Sequence, residues 1–325
     1  MHVTSEAWLT TIAVLASILT ADVFILGRRA KEPSMKEAAV TIGVFSVMAV
    51  VFGLGVWFVS GPRFGAEFFA GWLTEYSLSV DNLFIFVIIM ASLRVPRTLQ
   101  QYALMVGIML ALVFRGVFIG LGAAAIERFS WIFFAFGAFL IYTAIKLYLD
   151  YRTEDEDEQA DEAIDNLLMR WIKRVLPSTS EFHGTHLTVR EAGRRLVTPM
   201  LFVIVALGST DLLFALDSIP AIYGLTQEPY LVFAATVFAL MGLRQLYFLI
   251  GGLLQRLVYL SLGLAIILAF IGVKLVLHAM PEYHLDAALG FDGEIPIWAS
   301  LSVIIATLAV TTIASLQKSR RDSAG

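Results

Sequence analysis

Thr74-Glu75-Tyr76-Ser77-Leu78-Ser79-Val80-Asp81-Asn82-Leu83-Phe84-Ile85-Phe86 sets two carboxylates inside a long apolar segment. A second copy of the pattern occurs at Ser209-Thr210-Asp211-Leu212-Leu213-Phe214-Ala215-Leu216-Asp217-Ser218-Ile219-Pro220. In both, the acids stand six residues apart, and a small polar residue, Asn82 or Ser218, follows the second acid. A carboxylate in a membrane-length apolar run costs about 2.5–3.5 kcal/mol on insertion scales. Four such residues must therefore serve something specific.

The surrounding composition explains why the run is membrane-length. Of 325 residues, 58% are hydrophobic and only 15% are charged, against about half and a quarter in soluble domains. The apolar residues come in blocks of about twenty, the length of a helix that spans a bilayer. The chain therefore reads as an all-α, polytopic membrane protein embedded in the lipid bilayer. Nine spans are expected, at Trp8–Leu26, Ala38–Val59, Glu67–Ser92, Tyr102–Ile126, Trp131–Tyr151, Pro199–Leu225, Leu231–Leu254, Val258–Met280 and Ile297–Leu316. No Lys or Arg precedes the first span and no small-residue cleavage pattern follows it, so it is read as a retained helix rather than a signal peptide. The net charge of −4 points to no nucleic-acid partner, and the absence of cysteine excludes disulfides and thiolate metal sites.

Loop charge gives the orientation. Seventeen of the 23 Lys and Arg residues lie in the odd-numbered loops and the C-terminal tail, and only Arg63 and Arg128 lie on the other side. By the positive-inside rule the N-terminus is outside and the C-terminus cytoplasmic.

The remaining four bases lie within spans and complete an internal repeat. Glu75, Asp81, Arg115 and Lys146 in spans 3–5 are followed by Asp211, Asp217, Arg244 and Lys274 in spans 6–8. Arginine and lysine are 31 residues apart in one copy and 30 in the other, and Ile145-Lys146-Leu147 matches Val273-Lys274-Leu275. Three spans per copy is an odd number, so the copies run in opposite directions, an inverted repeat of the kind used by secondary transporters. The chain divides into 1–66 (helices 1 and 2), 67–151 (first repeat), 152–197 (a cytoplasmic loop), 198–280 (second repeat) and 281–325 (outer loop, helix 9 and tail).

That cytoplasmic loop holds an acidic run, Glu154 to Glu162, and then apolar residues at helical spacing from Ile164 to Leu176. The second part reads as an amphipathic helix on the inner membrane surface, with docking of a membrane-complex partner as the alternative. His183 and His186 are three residues apart but lack an evident third ligand, and are read as ordinary solvated histidines. Asp22 reads as an interfacial acid paired with Arg28 or Arg29.

Residues six apart on a helix differ by about 120° around its axis. Each acid pair must therefore spread over a wide face or straddle a backbone break. Pro220 removes a hydrogen bond to the Leu216 carbonyl and marks a candidate break in the second copy. Glu75, Asp81, Asn82, Asp211, Asp217 and Ser218 offer oxygen alone, which suits Mg²⁺, Ca²⁺ or Mn²⁺ and argues against Zn²⁺ or Cu⁺. Arg115, Lys146, Arg244 and Lys274 would balance surplus charge or gate the site. A carboxylate that releases metal and takes up a proton couples the two movements. A buried ion-pair network without transport is the competing explanation, as is an intramembrane aspartic protease. No Gly-x-x-x-x-Gly-Lys motif is present, so no ATPase is expected in this chain.

Glu75-x-x-Leu78-Ser79-x-Asp81-Asn82 and Asp211-x-x-Phe214-Ala215-x-Asp217-Ser218-Ile219-Pro220-Ala221 resemble the signature of the TerC/Alx family, bacterial integral-membrane proteins placed near the LysE-type exporters. Arg190-Glu191, Gly193-Arg194-Arg195 and Thr198-Pro199 resemble that family too. The resemblance runs from span 2 to span 8. It implies the bacterial inner membrane, export of Mn²⁺ as the transported substrate, and metal handling at Glu75, Asp81, Asp211 and Asp217 beside Asn82 and Ser218. It also leaves open a role in tellurium resistance, as a membrane scaffold, or in metal delivery to secreted enzymes.

Overall fold

The computed structural model describes residues 3–26, 34–129, 131–153, 177–179, 181–191, 194–250, 259–283 and 295–322. The helices are α1 (Ser5–Leu26), α2 (Met35–Ser60), α3 (Pro62–Ser92), α4 (Arg97–Arg128), α5 (Ile132–Thr153), α6 (Pro199–Tyr223), α7 (Pro229–Leu240), α8 (Leu243–Ile250), α9 (Leu260–Ala279) and α10 (Ile297–Asp322). Eight candidate spans among the described residues are long and apolar enough to cross a membrane, with α7 and most of α8 forming one of them. The remaining predicted span is α1, whose described apolar run is Ser5–Thr20. The acidic run and the amphipathic helix expected within 154–176 lie outside the described residues, as do the side chains of Asp22 and Asp81.

Local chemistry sets the helix starts. Ser34 and Glu37 close a reciprocal capping box at α2, with Glu37 N–H donating to Ser34 Oγ (3.2 Å) and Ser34 N–H to Glu37 Oε2 (2.9 Å). Pro62, Pro199 and Pro229 open α3, α6 and α7, where the missing N–H costs no helical bond.

Two expectations are corrected. The loop before α6 carries a short antiparallel hairpin, Thr188–Glu191 paired with Arg194–Val197, which the helical periodicity of the chain did not suggest. Its Val, Thr and Leu side chains suit a pleated strand. The second correction concerns the break. Neither acid-bearing helix is interrupted: α3 runs unbroken through both acids, and α6 runs through Pro220 to end three residues later. In the last turn the proline removes only one ladder bond. The interruption falls in the next span, at Met241 (ψ 129°) and Gly242 (φ 82°), immediately before Arg244. A positive φ of this kind favours glycine.

The helices form a buried centre and a lipid-facing shell. The α7–α8 span and α3 are mostly buried, whereas α2, α4, α5 and α10 expose rows such as Val47, Val51 and Phe58, or Val113, Val117 and Leu121. Among the tightest helix pairs, α5 packs on α9, α4 on α6 and α3 on α7. The α5–α9 pair is antiparallel: Phe133 meets His278 at one end (ring centroids 5.1 Å apart) and Tyr151 meets Tyr259 at the other. At their crossing a Cβ on Gly137 would lie 2.7 Å from the Gly272 carbonyl oxygen, and one on Gly272 would lie 2.9 Å from that of Gly137. Small residues seven apart, Gly137 with Ala144 and Ala265 with Gly272, let the backbones approach.

Gly137→Ala therefore forces backbone apart and is expected to destabilise the fold by about 1–3 kcal/mol. Gly116, which has open space around its Cβ position, should accept alanine without loss. Melting temperatures of the two variants in detergent check this; equal values would show that the α5–α9 crossing is not tightly packed.

Candidate functional site

The two acids of α6 face different neighbours, as their 120° offset requires. Asp211 and Ser218, seven residues apart, share one stripe of α6; Thr210 and Asp217, also seven apart, share another. The first stripe faces α3 and α4. There Arg115, at the middle of α4, donates through Nη1 to Glu75 Oε2 in a short ionic hydrogen bond, and its Nη2 stands 3.5 Å from Asp211 Oδ1. All three side chains are buried, with 0%, 0% and 1% of Arg115, Glu75 and Asp211 exposed. The Ser218 hydroxyl lies beside Glu75 without reaching hydrogen-bond geometry.

This charged layer is incompletely satisfied. Glu75 Oε1, Asp211 Oδ2, Arg115 Nε, Ser79 Oγ and Ser218 Oγ are buried without a hydrogen-bond partner. Each unsatisfied buried polar group costs about 1–3 kcal/mol, and their number on α3, α4 and α6 marks a place suited to water or an ion. The centre holds two carboxylates and one guanidinium, a formal excess of one negative charge.

The second stripe opens elsewhere. Asp217 accepts a hydrogen bond from Thr143 Oγ1 on α5 (3.0 Å) and lines a cavity of about 310 Å³ with Asn82, Thr210, Lys146 and Asp150. This cavity lies toward the end of the bundle where α5 ends and α6 and α9 begin. A larger cavity, about 410 Å³, lies at the opposite end between the starts of α3 and α10 and the end of α9. It is lined by Arg63, Glu67, Gln227, Lys274 and His278. Lys146, Leu147 and Asp150 in the first correspond in the repeat alignment to Lys274, Leu275 and His278 in the second.

The six candidate metal ligands thus do not all share one contact. Glu75, Asp211 and Ser218 meet in the central layer; Asn82 and Asp217 line the adjacent cavity; Asp81 lies on α3, its side chain outside the description. Among the described residues, no three His, Asp or Glu side chains gather as a metal-ion site. Of the four intramembrane bases, Arg115 pairs with the motif acids, Lys146 lines the Asp217 cavity and is largely exposed, and Lys274 donates to Ser300 Oγ (3.1 Å). Arg244, buried at the start of α8, lines a third cavity, about 360 Å³ and mainly apolar. His183 and His186 flank the turn at Gly184, with His186 N–H donating to the His183 carbonyl.

Sequence reasoning missed Glu67, Thr143 and Thr210. Glu67 is buried, accepts from Arg63 Nε (2.9 Å) and Thr226 Oγ1 (2.7 Å), and was read only as the first residue of its span. Its signal was an acid eight residues before Glu75. Thr143 carried no signal, since threonine is ordinary in an apolar helix.

Residues 60–323 match the model of the integral membrane protein TerC family. The chain belongs to the TerC family. It is 43% identical to "Uncharacterized membrane protein Rv2723" of Mycobacterium tuberculosis, over 98% of this chain and 81% of that one. It is 40% identical to "Uncharacterized membrane protein STKORF319" of Myxococcus xanthus, over 96% and 92%. It is 35% identical to "Putative membrane-bound redox modulator Alx" of Escherichia coli, over 92% and 91%. No solved structure matches the chain. This TerC-family chain is a multi-pass integral membrane protein with bacterial relatives.

Breaking a buried pair by removing one partner costs about 3–5 kcal/mol. Arg115→Gln is expected to lower stability by about that amount, and Glu75→Gln with Asp211→Asn in the same chain to recover much of it. Melting curves in detergent decide: an Arg115→Gln variant as stable as wild type would show that Arg115 is not the counter-ion of this layer.

Proposed function

We propose that this TerC-family protein is a secondary transporter that carries a hard divalent cation, Mn²⁺, out of the cytoplasm. Ca²⁺ and Mg²⁺ share the same ligand preference. The observation that carries this reading is the under-satisfied charged layer of Glu75, Arg115 and Asp211 in the middle of the bundle, with a cavity that carries charged side chains toward each end. A structural ion pair needs no cavities beside it, and hydrophobic residues would serve stability at least as well. Intramembrane acids and bases facing a bundle interior are typical of ion pathways.

Several features support the details. The donors on the path are carboxylate, amide and hydroxyl oxygens, which suit hard cations. The interlocked pairing of α5 with α9, α4 with α6 and α3 with α7 fits an inverted repeat of α3–α5 and α6–α9. Charge asymmetry favours an N-terminus outside and a C-terminus in the cytoplasm of a bacterial inner membrane. In that orientation the Asp217 cavity faces the cytoplasm and the Glu67–Lys274 cavity faces outward. Glu75, Asp81, Asp211 and Asp217, with Asn82 and Ser218, would handle the cation, while Arg115 and its repeat equivalent Arg244 balance charge. A thiol-based redox role, one sense of the name given to the relative Alx, has no residue to run on here, since the chain has no cysteine.

The test is Mn²⁺ flux in proteoliposomes, with and without a pH gradient. Wild type should carry Mn²⁺ with gradient dependence, and Glu75→Gln and Asp217→Asn should each lose at least about tenfold, the scale of weakened metal coordination. A folded wild-type protein without flux would overturn transport and favour a metal-delivery or scaffold role in a membrane complex.

A further inference from the structure

The Asp217 cavity has properties that the central layer lacks. Asp217 stands outside the Arg115 contact, and its carboxylate accepts a hydrogen bond from Thr143 Oγ1. An ionised carboxylate offers about four lone-pair sites, so one hydroxyl leaves most of its acceptor capacity for the cavity contents. Thr210, one stripe-repeat before Asp217 on α6, also lines the cavity. It is 2% exposed, and its hydroxyl has no hydrogen-bond partner. Asn82, 5% exposed, adds an amide from α3. Four oxygen-bearing side chains from three helices thus meet in one cavity of about 310 Å³ whose other walls are mostly leucine, isoleucine and phenylalanine, roomy enough for an ion with part of its water shell.

We propose that Asp217, Asn82, Thr143 and Thr210 form a loading site for a hard, partly hydrated divalent cation, distinct from the Glu75–Arg115–Asp211 layer. The donor set decides the class of ligand. Carboxylate, hydroxyl and amide oxygens with retained water are the coordination of Mn²⁺, Mg²⁺ or Ca²⁺, and the site offers no imidazole or sulfur. Lys146 and Asp150, also lining the cavity, contribute opposite charges near its mouth, so Asp217 supplies the net negative charge. Arg115 already compensates part of the central layer, so of the two acids on α6 Asp217 is the less compensated and the one that this cavity reaches. Thr143 lies outside both acidic motifs, and it enters the site only because α5 packs against α6. The inference rests on the cation-transport reading, and extends it to Thr143 and Thr210 as ligands that set affinity.

Equilibrium Mn²⁺ binding to the purified full chain in detergent, read by calorimetry or by the loss of the free Mn²⁺ resonance, tests the site without flux. Thr143→Val and Thr210→Val should each weaken binding about tenfold and Asp217→Asn more, the scale of lost or disoriented ligands. Ser302→Ala, on the exposed side of α10, should bind as wild type. Should the valine variants not survive purification, Thr143→Ser against Thr143→Ala makes the same comparison, serine retaining the affinity that alanine loses. Wild-type binding that Asp217→Asn abolishes but the threonine variants leave unchanged would overturn the four-residue site and spare the transport reading. Wild-type binding unaffected by Asp217→Asn would also overturn it. No Mn²⁺ binding by the wild type would overturn both.

Discussion

Charge buried in an apolar medium must be compensated nearby, and this constraint organises the bundle. Arg115 extends from the middle of α4 to acids on α3 and α6, tying three helices at one depth. Only arginine suits this position well, because its planar fork reaches two carboxylates at once and keeps its charge when buried. The compensation is partial. One guanidinium faces two carboxylates, and several oxygens and nitrogens of the layer have no partner. A fully satisfied network would rigidify the centre; a partly satisfied one leaves groups whose pairing a solvent molecule or ion can complete.

The packing keeps this centre between two cavities that each carry charged side chains rather than within a continuous apolar core. α5 and α9 cross so closely at Gly137 and Gly272 that the pair behaves as one wall. Its two ends present corresponding lysines, Lys146 and Lys274, to opposite cavities. The arginines treat the repeat differently. Arg115 sits in an uninterrupted helix and holds the acid pair, whereas Arg244 follows the break at Gly242 and lines a separate, mainly apolar cavity. Corresponding sequence positions therefore occupy unlike environments; in the transport reading this is the asymmetry of two inverted halves held in one of two related arrangements.

The features legible in the sequence were those set by hydrophobic length and by the presence of charge in apolar runs. Every predicted span has a helical counterpart near its expected position, and the intramembrane location of Glu75, Arg115 and Asp211 followed from composition alone. The break was misplaced because proline is a conspicuous signal, yet Pro220 lies in a last turn that loses little. The actual interruption uses Gly242, and a lone glycine in an apolar run carries no such warning. The hairpin at 188–197 was missed for a similar reason, since four-residue strands leave little periodicity beside twenty-residue helices. The partners of the acids were less legible still. Which of four bases meets which acid depends on helix rotation and crossing, and Thr143 enters the site through packing of α5 on α6 that no local pattern encodes.

The six-residue spacing of the acids gains its physical sense from the uninterrupted helices. A spacing of seven would have placed Asp211 and Asp217 on one stripe, so that both faced Arg115 or neither did. Six turns the second acid toward α5, so α6 divides its two charges between a compensated layer and a cavity that holds water-sized space. The two charges also differ in depth by about 9 Å along the helix. In the transport reading this offset supplies two stations rather than one deep trap. A dication held by all four acids at once would be bound too firmly to leave, whereas one passed from the Asp217 cavity to a centre already half-neutralised by Arg115 meets less excess charge at the second station. Conduction needs binding favourable enough to enter and weak enough to release. Dividing the acids between helix faces, with a fixed guanidinium against one of them, meets both requirements with the same short motif.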